Sequence, residues 1–491
     1  MISTLPDQPY FVQALAALKD GDRRRAAAFL ERQLEGGRTS RRNLDSVSRL
    51  AASIGEIDLA IEAAREAIDP DSLPSLLPYW SLLATFGRSA EAVADLERRP
   101  AAWREDAAVL HFLATVESQF GRRERTEDLF RRALAIEPDS RATWFALSML
   151  KTFEPGDPDI PAMERLAPLA LPGSHDSARL MYALGKAWSD IGETDRAFEY
   201  YQKGASLQPR GRPIDLAGLG RAADRTIADF GPRFADRLVP SGFEGRPALF
   251  VTGLPRSGTS ITEQILRSHS AVRDGAELNL FSGALIPSRG SLAGALGYQQ
   301  RSGTADPWGE IARDYADLAN RYFRSGDLIV DKSLGQSLLI GLMLHAMPRA
   351  RIAWLRRAPD DVALSCFQTY FGDSLPWTGS LTDIADHMLI EDRLYRHWQS
   401  IFPNRILTVP YEDLVADPSL WAIRLQRHFG LEIETGLDLK SREGRAIRTA
   451  STGQAHAPIT TRRIGRSAAY ARHMKPFRDR YERGVAAIDQ R

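Results

Sequence analysis

A repeat of about 34 residues runs through the first 210 positions of this 491-residue chain and constrains its fold more than any other feature. Each copy has a glycine, an alanine five positions later, and an apolar, usually large residue four positions after that. Gly21, Ala26 and Leu30 form the first copy, and Thr126 replaces the alanine in the fourth. The steps between the glycines are 34, 32, 34 and 71 residues, the last being two periods with a small insertion. The glycines are Gly21, Gly55, Gly87, Gly121 and Gly192.

This pattern has a direct physical interpretation. Glycine tolerates the left-handed conformation in which a helix ends. Alanine lets two helices approach closely, and the residue four positions later lies on the same face and fills the gap. The pattern resembles the tetratricopeptide repeat and predicts about six helix pairs over residues 7–210, stacked into a curved solenoid. A plain helical bundle is the alternative. Solenoids usually bind a peptide, a partner protein or a neighbouring domain, and this pattern does not distinguish among them.

From about residue 247, short apolar runs alternate with amphipathic stretches, which predicts a parallel α/β sheet. The segment ALFVTGLPRSGTSITEQILRSH predicts a buried strand over Ala248–Thr252, a turn over Gly253–Gly258 and a helix from Thr259. A glycine-bounded turn that leads into a helix directs backbone N–H groups and the helix dipole at one point. Such a point binds phosphate or a similar anion, although a simple strand–turn–helix corner is the alternative.

The turn can be compared with the nucleotide-binding loop G-x-x-x-x-G-K-[ST]. Gly253, Gly258 and Ser260 are in register, but Thr259 occupies the lysine position and Arg256 supplies a cation inside the turn. A kinase or nucleotide hydrolase is therefore disfavoured, because the lysine that contacts the outer phosphates is missing. Asp331, the carboxylate in LIVDK, is only a weak Mg²⁺ candidate. We therefore expect the turn to bind an anion that is shorter than a triphosphate and carries no metal ion.

Composition excludes several classes of function. With 64 Lys and Arg against 63 Asp and Glu, the net charge is +1, so nucleic acid is not an expected partner. The single cysteine, Cys366, excludes an internal disulfide framework and fits a reducing compartment. No stretch reads as a signal peptide or approaches about 18 consecutive apolar residues. We therefore expect a soluble, cytoplasmic protein.

Four separated motifs carry a family resemblance. GLPRSGTS, RIAWLRRAPDDVALSCF, VPYEDLVADP and TASTGQAHAPI occur in an order that resembles the sulfotransferases that use 3′-phosphoadenosine 5′-phosphosulfate, in particular the tyrosylprotein sulfotransferases. The resemblance covers roughly residues 247–480. We therefore expect a multidomain α plus α/β protein, with a helical repeat domain at 1–215, a helical linker at 216–245 and a P-loop-like sulfotransferase domain at 246–491.

The resemblance implies a set of donor-binding residues. Arg357 and Ser365 match a segment for the 3′-phosphate, in which a strand ends in arginine and serine follows eight residues later. Arg356 is the rival, but Ala358-Pro359 follows Arg357 as the usual Asp-Pro would. The implied donor-binding residues are Arg256, Ser257, Gly258, Thr259, Ser260, Arg357, Ser365 and Tyr411.

Catalysis of sulfuryl transfer requires a base for the acceptor hydroxyl and cations where charge builds on the leaving phosphate. Glu277, in RDGAELNLF, matches the catalytic glutamate of the family. Lys332, in LIVDKSL, matches the lysine beside the transferred group, with Arg256 as the second cation and Ser451 as a hydrogen-bond donor. A helix-capping glutamate and a solvated strand-end lysine are the alternatives. The backup bases are His269, His345 and His387.

Some positions depart from the family pattern. Asn279 and Ala457, the latter beside His456, stand where tyrosylprotein sulfotransferases carry an arginine and a lysine, so the acceptor is a protein tyrosine, a glycan or a small phenol. Thr369 replaces a phosphate-binding arginine. A catalytically silent scaffold remains the alternative from another class. The arginines that could restore the lost charge are Arg462, Arg463 and Arg466.

Overall fold

The computed structural model describes residues 9–36, 40–208, 214–246, 248–277, 279–323, 328–439 and 459–490. The first part of the chain forms helices joined by short turns and loops in its described residues, as the repeat period predicts. Most of its helices pack against a neighbour in consecutive pairs. Its helices are α1 (Pro9–Asp20), α2 (Arg23–Glu35), α3 (Arg41–Ser53), α4 (Ile57–Ala67), α5 (Leu73–Thr85), α6 (Ser89–Glu97), α7 (Ala107–Gln119), α8 (Arg123–Ile136), α9 (Arg141–Leu150), α10 (Asp159–Glu164), α11 (His175–Asp190) and α12 (Thr194–Leu207).

The repeat glycines have the backbone conformation that the sequence predicts. All five lie in the left-handed region, with φ between 73° at Gly121 and 89° at Gly192, and each joins the two helices of a pair. The small residues five positions later, Thr126 included, are fully buried between the helices. The tetratricopeptide-like solenoid is therefore confirmed, and its insertion-bearing unit contains the short helix α10, which packs on α11.

The last pair, α11 and α12, shows how small residues set the spacing. A Cβ atom on Gly185 would lie 2.8 Å from the Tyr201 ring, and one on Gly204 would lie 2.8 Å from the Tyr182 ring. Each tyrosine thus packs directly against the backbone of the opposite helix, which is possible only because both contact positions are glycine.

The second part of the chain combines strands and helices. Its elements are α13 (Leu216–Asp229), β1 (Ala248–Gly253), α14 (Thr259–Arg267), β2 (Val272–Ala276), α15 (Leu280–Ala284), α16 (Leu292–Arg301), α17 (Pro307–Phe323), β3 (Leu328–Asp331), α18 (Ile340–Ala346), β4 (Ile352–Arg356), α19 (Pro359–Phe367), α20 (Leu381–Ile401), β5 (Ile406–Pro410), α21 (Tyr411–Ala416), α22 (Pro418–Phe429) and α23 (Lys475–Asp489).

The five strands form one parallel sheet in the order β2-β3-β1-β4-β5. The central strand β1 is buried along its whole length, because helices cover both faces of the sheet. The strand and the helix around the predicted anion-binding turn are confirmed: β1 begins at Ala248 and α14 begins at Thr259. All five strands point their carboxyl ends at the same edge, where ligands bind in open α/β sheets.

The segment predicted as a helical linker, 216–245, packs against the α/β domain. It forms α13 and a short 3₁₀ helix at Phe234–Arg237. The rings of Phe230 and Phe234 lie in the same hydrophobic cluster as Trp398 of α20. The segment therefore contributes to the α/β core, and the domain boundaries themselves remain a prediction.

The repeats contact the α/β domain at both of their ends. Near the start, Arg23 of α2 forms an ion pair with Asp314 of α17. Near the end, Phe198 of α12 stacks on Phe367 of α19 with ring centroids 5.2 Å apart. Among the described helices, none combines the length and the apolar character that a membrane crossing needs.

Candidate functional site

The turn between β1 and α14 has the geometry of an anion cradle. Gly253 has φ of 144°, and a Cβ there would lie 2.8 Å from the Leu355 carbonyl oxygen. Gly258 has φ of 109°, and a Cβ there would lie 2.6 Å from Cδ2 of Tyr411. Arg256 also has a positive φ, 68°. The backbone thus bends tightly before α14, whose first N–H groups have no acceptor within the helix and are available to an anion.

The strand order brings the separated motifs together. Each predicted group follows the carboxyl end of its strand, and the sheet places these ends side by side. From β2 across to β5 the edge presents Glu277, Lys332, the Gly253–Gly258 turn, Arg357 and Tyr411.

Two arginines and a serine surround the turn. Arg256 Nε donates to Ser365 Oγ at 3.0 Å. Arg357 donates from Nη1 to the Arg256 carbonyl at 3.0 Å and from Nη2 to the Arg463 carbonyl at 2.6 Å, and its guanidinium lies 4.3 Å from the ring centroid of Tyr411. Arg357 Nε is buried without a hydrogen-bond partner among the described residues. The Arg357 guanidinium also pairs with buried Asp361, with Nη2 3.6 Å from Oδ2, so within the described part of the chain Nε is the one donor of this side chain that could serve an anionic ligand.

The rival arginine points elsewhere. Arg356 forms an ion pair with Asp392 of α20, and its guanidinium lies 4.7 Å from the Tyr395 ring centroid. Arg357, rather than Arg356, therefore lies beside the turn.

The positive charge around the turn is crowded. Burial, together with the nearby Arg463 and Arg357 guanidinium groups, lowers the pKa of Arg256 to about 10. Burial and the nearby Arg466 also lower the pKa of Arg463. An anion bound here would relieve both effects, because it would replace lost solvation and screen the repulsion.

Beside the turn, Lys332 and Glu277 form a close ion pair. Lys332 Nζ donates to Glu277 Oε1 at 2.5 Å. The two residues meet because β2 and β3 are neighbours: Ala276 is paired with Asp331, and the Lys332 amide donates to the Ala276 carbonyl at 3.0 Å. Lys332 is fully buried, whereas the Glu277 side chain is 38% exposed. A buried ammonium group and an accessible carboxylate thus stand at one point on the sheet edge.

Sequence reasoning missed a second carboxylate at this point. Glu263, buried on α14, has Oε2 3.7 Å from Lys332 Nζ and Oε1 3.6 Å from Arg267 Nη1. The signal was available, because Glu263 occupies the inward face of α14 among Thr262 and Leu266. A carboxylate on an apolar helix face requires a buried partner.

The carboxylate of Asp331, the weak Mg²⁺ candidate, is already engaged in hydrogen bonds within the protein. Its carboxylate accepts from the Tyr315 hydroxyl at 2.7 Å and from the Ser333 amide at 3.0 Å, as well as from the Ser333 hydroxyl. Burial raises its pKa. Within the described ranges, no group of three His, Cys, Asp or Glu side chains is arranged to hold a metal ion.

The remaining donor-binding candidates lie in or next to the turn. Ser257 Oγ donates to the Leu254 carbonyl at 2.6 Å, Thr259 is buried, and Ser260 follows it in the first turn of α14. Ser451, like His456 and Ala457, lies outside the described residues. Asn279 donates its backbone N–H to Ser333 Oγ at 2.7 Å.

The backup histidines are engaged elsewhere. His269 bonds the Glu432 carbonyl at 2.9 Å, and His345 bonds the Val239 carbonyl at 3.0 Å. His387 stacks on Trp377 with ring centroids 4.1 Å apart, and burial lowers its pKa to about 4. These contacts are those of packing residues rather than of a base at the sheet edge.

The fold and the site define a P-loop-like α/β domain with a lysine–glutamate pair beside an anion cradle, attached to a helical repeat region. Comparisons with known families agree with this class. Residues 247–435 match the model of the sulfotransferase family, and residues 4–216 match a tetratricopeptide-repeat model. The chain therefore carries a tetratricopeptide-repeat region followed by a domain of the sulfotransferase family.

Individual relatives are distant. An uncharacterized protein of Aquifex aeolicus (strain VF5) is 26% identical over 398 residues, which cover 78% of this chain and 51% of that protein. The chain thus spans about half the length of this curated relative. The sulfotransferase domain of the Synechococcus PCC 7002 olefin synthase is 19% identical, with 47% of this chain and 90% of that chain covered and a TM-score of 0.34. Sulfotransferase STF1 of Mycobacterium tuberculosis H37Rv is 14% identical, with 66% and 96% covered and a TM-score of 0.29.

Proposed function

We propose that this protein transfers the sulfuryl group of 3′-phosphoadenosine 5′-phosphosulfate to an acceptor hydroxyl. The observation that carries the proposal is the 2.5 Å contact between Lys332 Nζ and Glu277 Oε1 at the sheet edge, beside the Gly253–Gly258 cradle. A base and a cation are thereby held next to a site for an anion. These are the groups that sulfuryl transfer requires.

Each group has a role in the proposed step. Glu277 accepts the proton of the acceptor hydroxyl as the acceptor oxygen forms its bond to sulfur. The bond between sulfur and the bridging oxygen of the donor's 5′-phosphate breaks, and that oxygen keeps the electron pair. Lys332 and Arg256 stabilise the developing negative charge, with Ser451 as a further hydrogen-bond donor.

The donor nucleotide has two anionic ends, and the proposal assigns both. Ser257, Gly258, Thr259 and Ser260 bind the 5′-phosphosulfate through the cradle and the start of α14. Arg357, Ser365 and Tyr411 bind the ribose 3′-phosphate end. The buried, unpartnered Nε of Arg357 among the described residues supports this assignment.

The acceptor belongs to one of three classes: a protein tyrosine, a glycan or a small phenol. The repeat region favours a protein acceptor, because such repeats typically bind proteins. On the ground of the single cysteine, which is buried at position 366, we place the reaction in the cytoplasm.

The test uses full-length protein and donor labelled with radioactive sulfur. Wild type incubated with a host-cell lysate is expected to transfer label, whereas Glu277→Gln should transfer about 100- to 10,000-fold more slowly. Glu482→Gln, an exposed carboxylate on α23, is the matched control and should retain the wild-type rate. The mobility of the label separates protein from small-molecule acceptors.

Titration calorimetry with 3′,5′-adenosine diphosphate distinguishes the scaffold alternative. Glu277→Gln should bind this product as wild type does, because the base does not contact the nucleotide. A wild-type protein that binds the product but transfers no label to any acceptor supports the scaffold. A folded wild-type protein that binds no nucleotide refutes the proposal.

A further inference from the structure

A cavity of about 460 Å³ lies between the last repeats and the α/β domain. From the α/β side it is lined by Arg256 and Ser365 at the anion cradle. From the repeat side it is lined by Lys186 of α11 and by Arg123, the first residue of α8. The repeat region therefore forms one wall of a space that opens onto the proposed donor site.

The cavity is strongly cationic. Its lining includes the guanidinium groups of Arg463 and Arg466 in addition to that of Arg256 at the cradle, and Asp190 is its one carboxylate among the described lining residues. Asp190 is already paired with Lys186, whose Nζ donates to Asp190 Oδ2 at 2.5 Å and to the Lys151 carbonyl at 2.8 Å. Arg123, Arg463 and Arg466 thus add positive charge to the cavity wall, and its described lining holds no further acid.

The cations come close enough to disturb one another. Despite its partner Asp190, Lys186 has a lowered pKa, because it is buried and because Arg466 and Arg123 lie near it. Arg463 in turn contributes to the lowered pKa of Arg256. Such mutual repulsion is relieved when a multiply charged anion enters.

One unused hydrogen-bond donor lies in the wall of the same cavity. Gln368 lines the cavity, and its Nε2 is buried without a hydrogen-bond partner within the described residues. Thr369, which stands where the family pattern has an arginine, only returns a hydrogen bond from Oγ1 to the Ser365 carbonyl at 2.7 Å. Of the arginines considered as replacements, Arg463 and Arg466 line the cavity.

The sheet order decides which end of the donor reaches this cavity. Glu277 and Lys332 follow β2 and β3, on one side of the cradle, whereas Ser365 belongs to α19, which follows β4 on the other side. The sulfuryl group must lie by Glu277 and Lys332. The second charged group of the donor, a phosphate dianion on the ribose, is therefore directed to the opposite side, where the cavity lies.

We infer that the repeat region is part of the donor site: Lys186 and Arg123, with Arg463 and Arg466, bind the ribose 3′-phosphate from the outer side. This inference rests on the proposed function. The bound donor then bridges the two regions, and the repeats contribute to catalysis through nucleotide binding, independently of any role in acceptor capture.

Calorimetry on the full-length protein tests the inference with two probes, 3′,5′-adenosine diphosphate and adenosine 5′-monophosphate, which differ by the 3′-phosphate. Lys186→Gln should bind the diphosphate about tenfold more weakly, since a charge-assisted hydrogen bond is lost, and should bind the monophosphate as wild type does. Lys203→Gln, an exposed lysine on α12, is the matched control and should change neither affinity.

Loss of the Lys186–Asp190 pair could impair folding, which a lowered melting temperature would show. Arg466→Gln and Arg123→Gln, both at exposed positions, then provide independent variants. Both should lose affinity for the diphosphate alone. Wild-type affinity for the diphosphate in all three variants refutes the inference and leaves the proposed function standing. An equal loss for both nucleotides also refutes it, because the effect would not depend on the 3′-phosphate. A wild-type protein that binds neither nucleotide refutes the proposed function itself.

Discussion

Arg23 Nε donates to Asp314 Oδ2 at 2.8 Å, although 291 positions separate the two residues in the chain. The same guanidinium donates from Nη1 to Glu56 Oε1 at 2.7 Å, and Glu56 Oε2 accepts from Arg321 at 2.8 Å. This network joins the first two repeats to α17 of the α/β domain. It is largely buried, with the Arg23 side chain 5% exposed.

Arg23→Met is expected to lower the free energy of unfolding by about 1–3 kcal/mol, because two poorly solvated carboxylates lose their shared cation. Among the described residues, Glu56 then keeps only Arg321, and Asp314 keeps only Arg24. Urea unfolding at pH 7 measures the change. Arg32→Met, at an exposed position on the same helix, is the control and should change stability by less than about 0.5 kcal/mol. Equal midpoints for the two variants would contradict the expectation.

Lys332→Gln should lower kcat by about 100- to 1,000-fold, because a buried cation at the breaking bond is lost. Affinity for 3′,5′-adenosine diphosphate should also fall, by about tenfold, because the oxygen that Lys332 stabilises remains on the 5′-phosphate of this product. Initial rates and calorimetry measure the two effects. Lys475→Gln, an exposed lysine at the start of α23, should match wild type in both. Full activity of Lys332→Gln would remove Lys332 from the mechanism.

Glu263→Gln tests a positioning role. Its carboxylate lies 3.7 Å from Lys332 Nζ, which also contacts Glu277, so Glu263 helps to hold the ammonium group in place. We expect kcat to fall about tenfold while KM for the donor is unchanged. A merely structural role would instead lower the melting temperature and leave kcat of the folded fraction intact.

Gly258→Ala should abolish measurable nucleotide binding. The residue has φ of 109°, which side chains rarely adopt, and the new Cβ would lie 2.6 Å from the Tyr411 ring. Ring displacement would also disturb Arg357, which stacks on it. Gly231→Ala is the matched control, because nothing lies within 4 Å of its Cβ position. Calorimetry with 3′,5′-adenosine diphosphate measures the affinity of both variants. Unchanged affinity of Gly258→Ala would show that the nucleotide does not depend on the backbone conformation of the Gly253–Gly258 turn.

Glu391 makes stability depend on pH. Burial raises its pKa from the ordinary value of 4.5 to about 7, although the Ser337 hydroxyl donates to its Oε1 at 2.7 Å. The unfolded chain loses this proton above about pH 4.5, whereas the folded protein keeps it until about pH 7. Stability is therefore greatest below pH 4.5 for this group and falls by up to about 3 kcal/mol as the pH rises through 7.

Glu391→Gln keeps the acceptor for Ser337 and removes the titration. The variant should be more stable than wild type at pH 8, and the difference should disappear near pH 4.5. Urea unfolding at several pH values measures this, with Glu482→Gln as the exposed control. If the difference in unfolding free energy between wild type and Glu391→Gln did not change with pH, the raised pKa of Glu391 would be contradicted.

Local patterns were sufficient for the elements of the fold. The repeat glycines were predictable because a left-handed helix end is a property of one residue and its neighbours. The start of α14 at Thr259 was predictable for the same reason. The roles of Glu277, Lys332, Arg357 and the other candidates remain predictions from resemblance, although the sheet edge brings the described ones together.

Relations between distant residues were not predictable. The Ala358-Pro359 context favoured Arg357 over Arg356, but it gave no sign that Arg356 would pair with Asp392 of α20 or that Arg357 would donate to the Arg256 carbonyl. The position of Glu263 on the inward face of its helix predicts that the side chain is buried. The pattern does not identify its partner, because Lys332 follows a different element.

The sequence by itself thus determined the repeat period, the anion-binding turn and the order of the motifs, because each depends on chain geometry over a few residues. Only the tertiary structure decided that Lys332 meets Glu277, that Arg23 meets Asp314, and that a cationic cavity forms between α11 and the cradle. Those contacts depend on strand order and on how the two regions pack, which are set by the summed burial of the whole chain rather than by any local pattern.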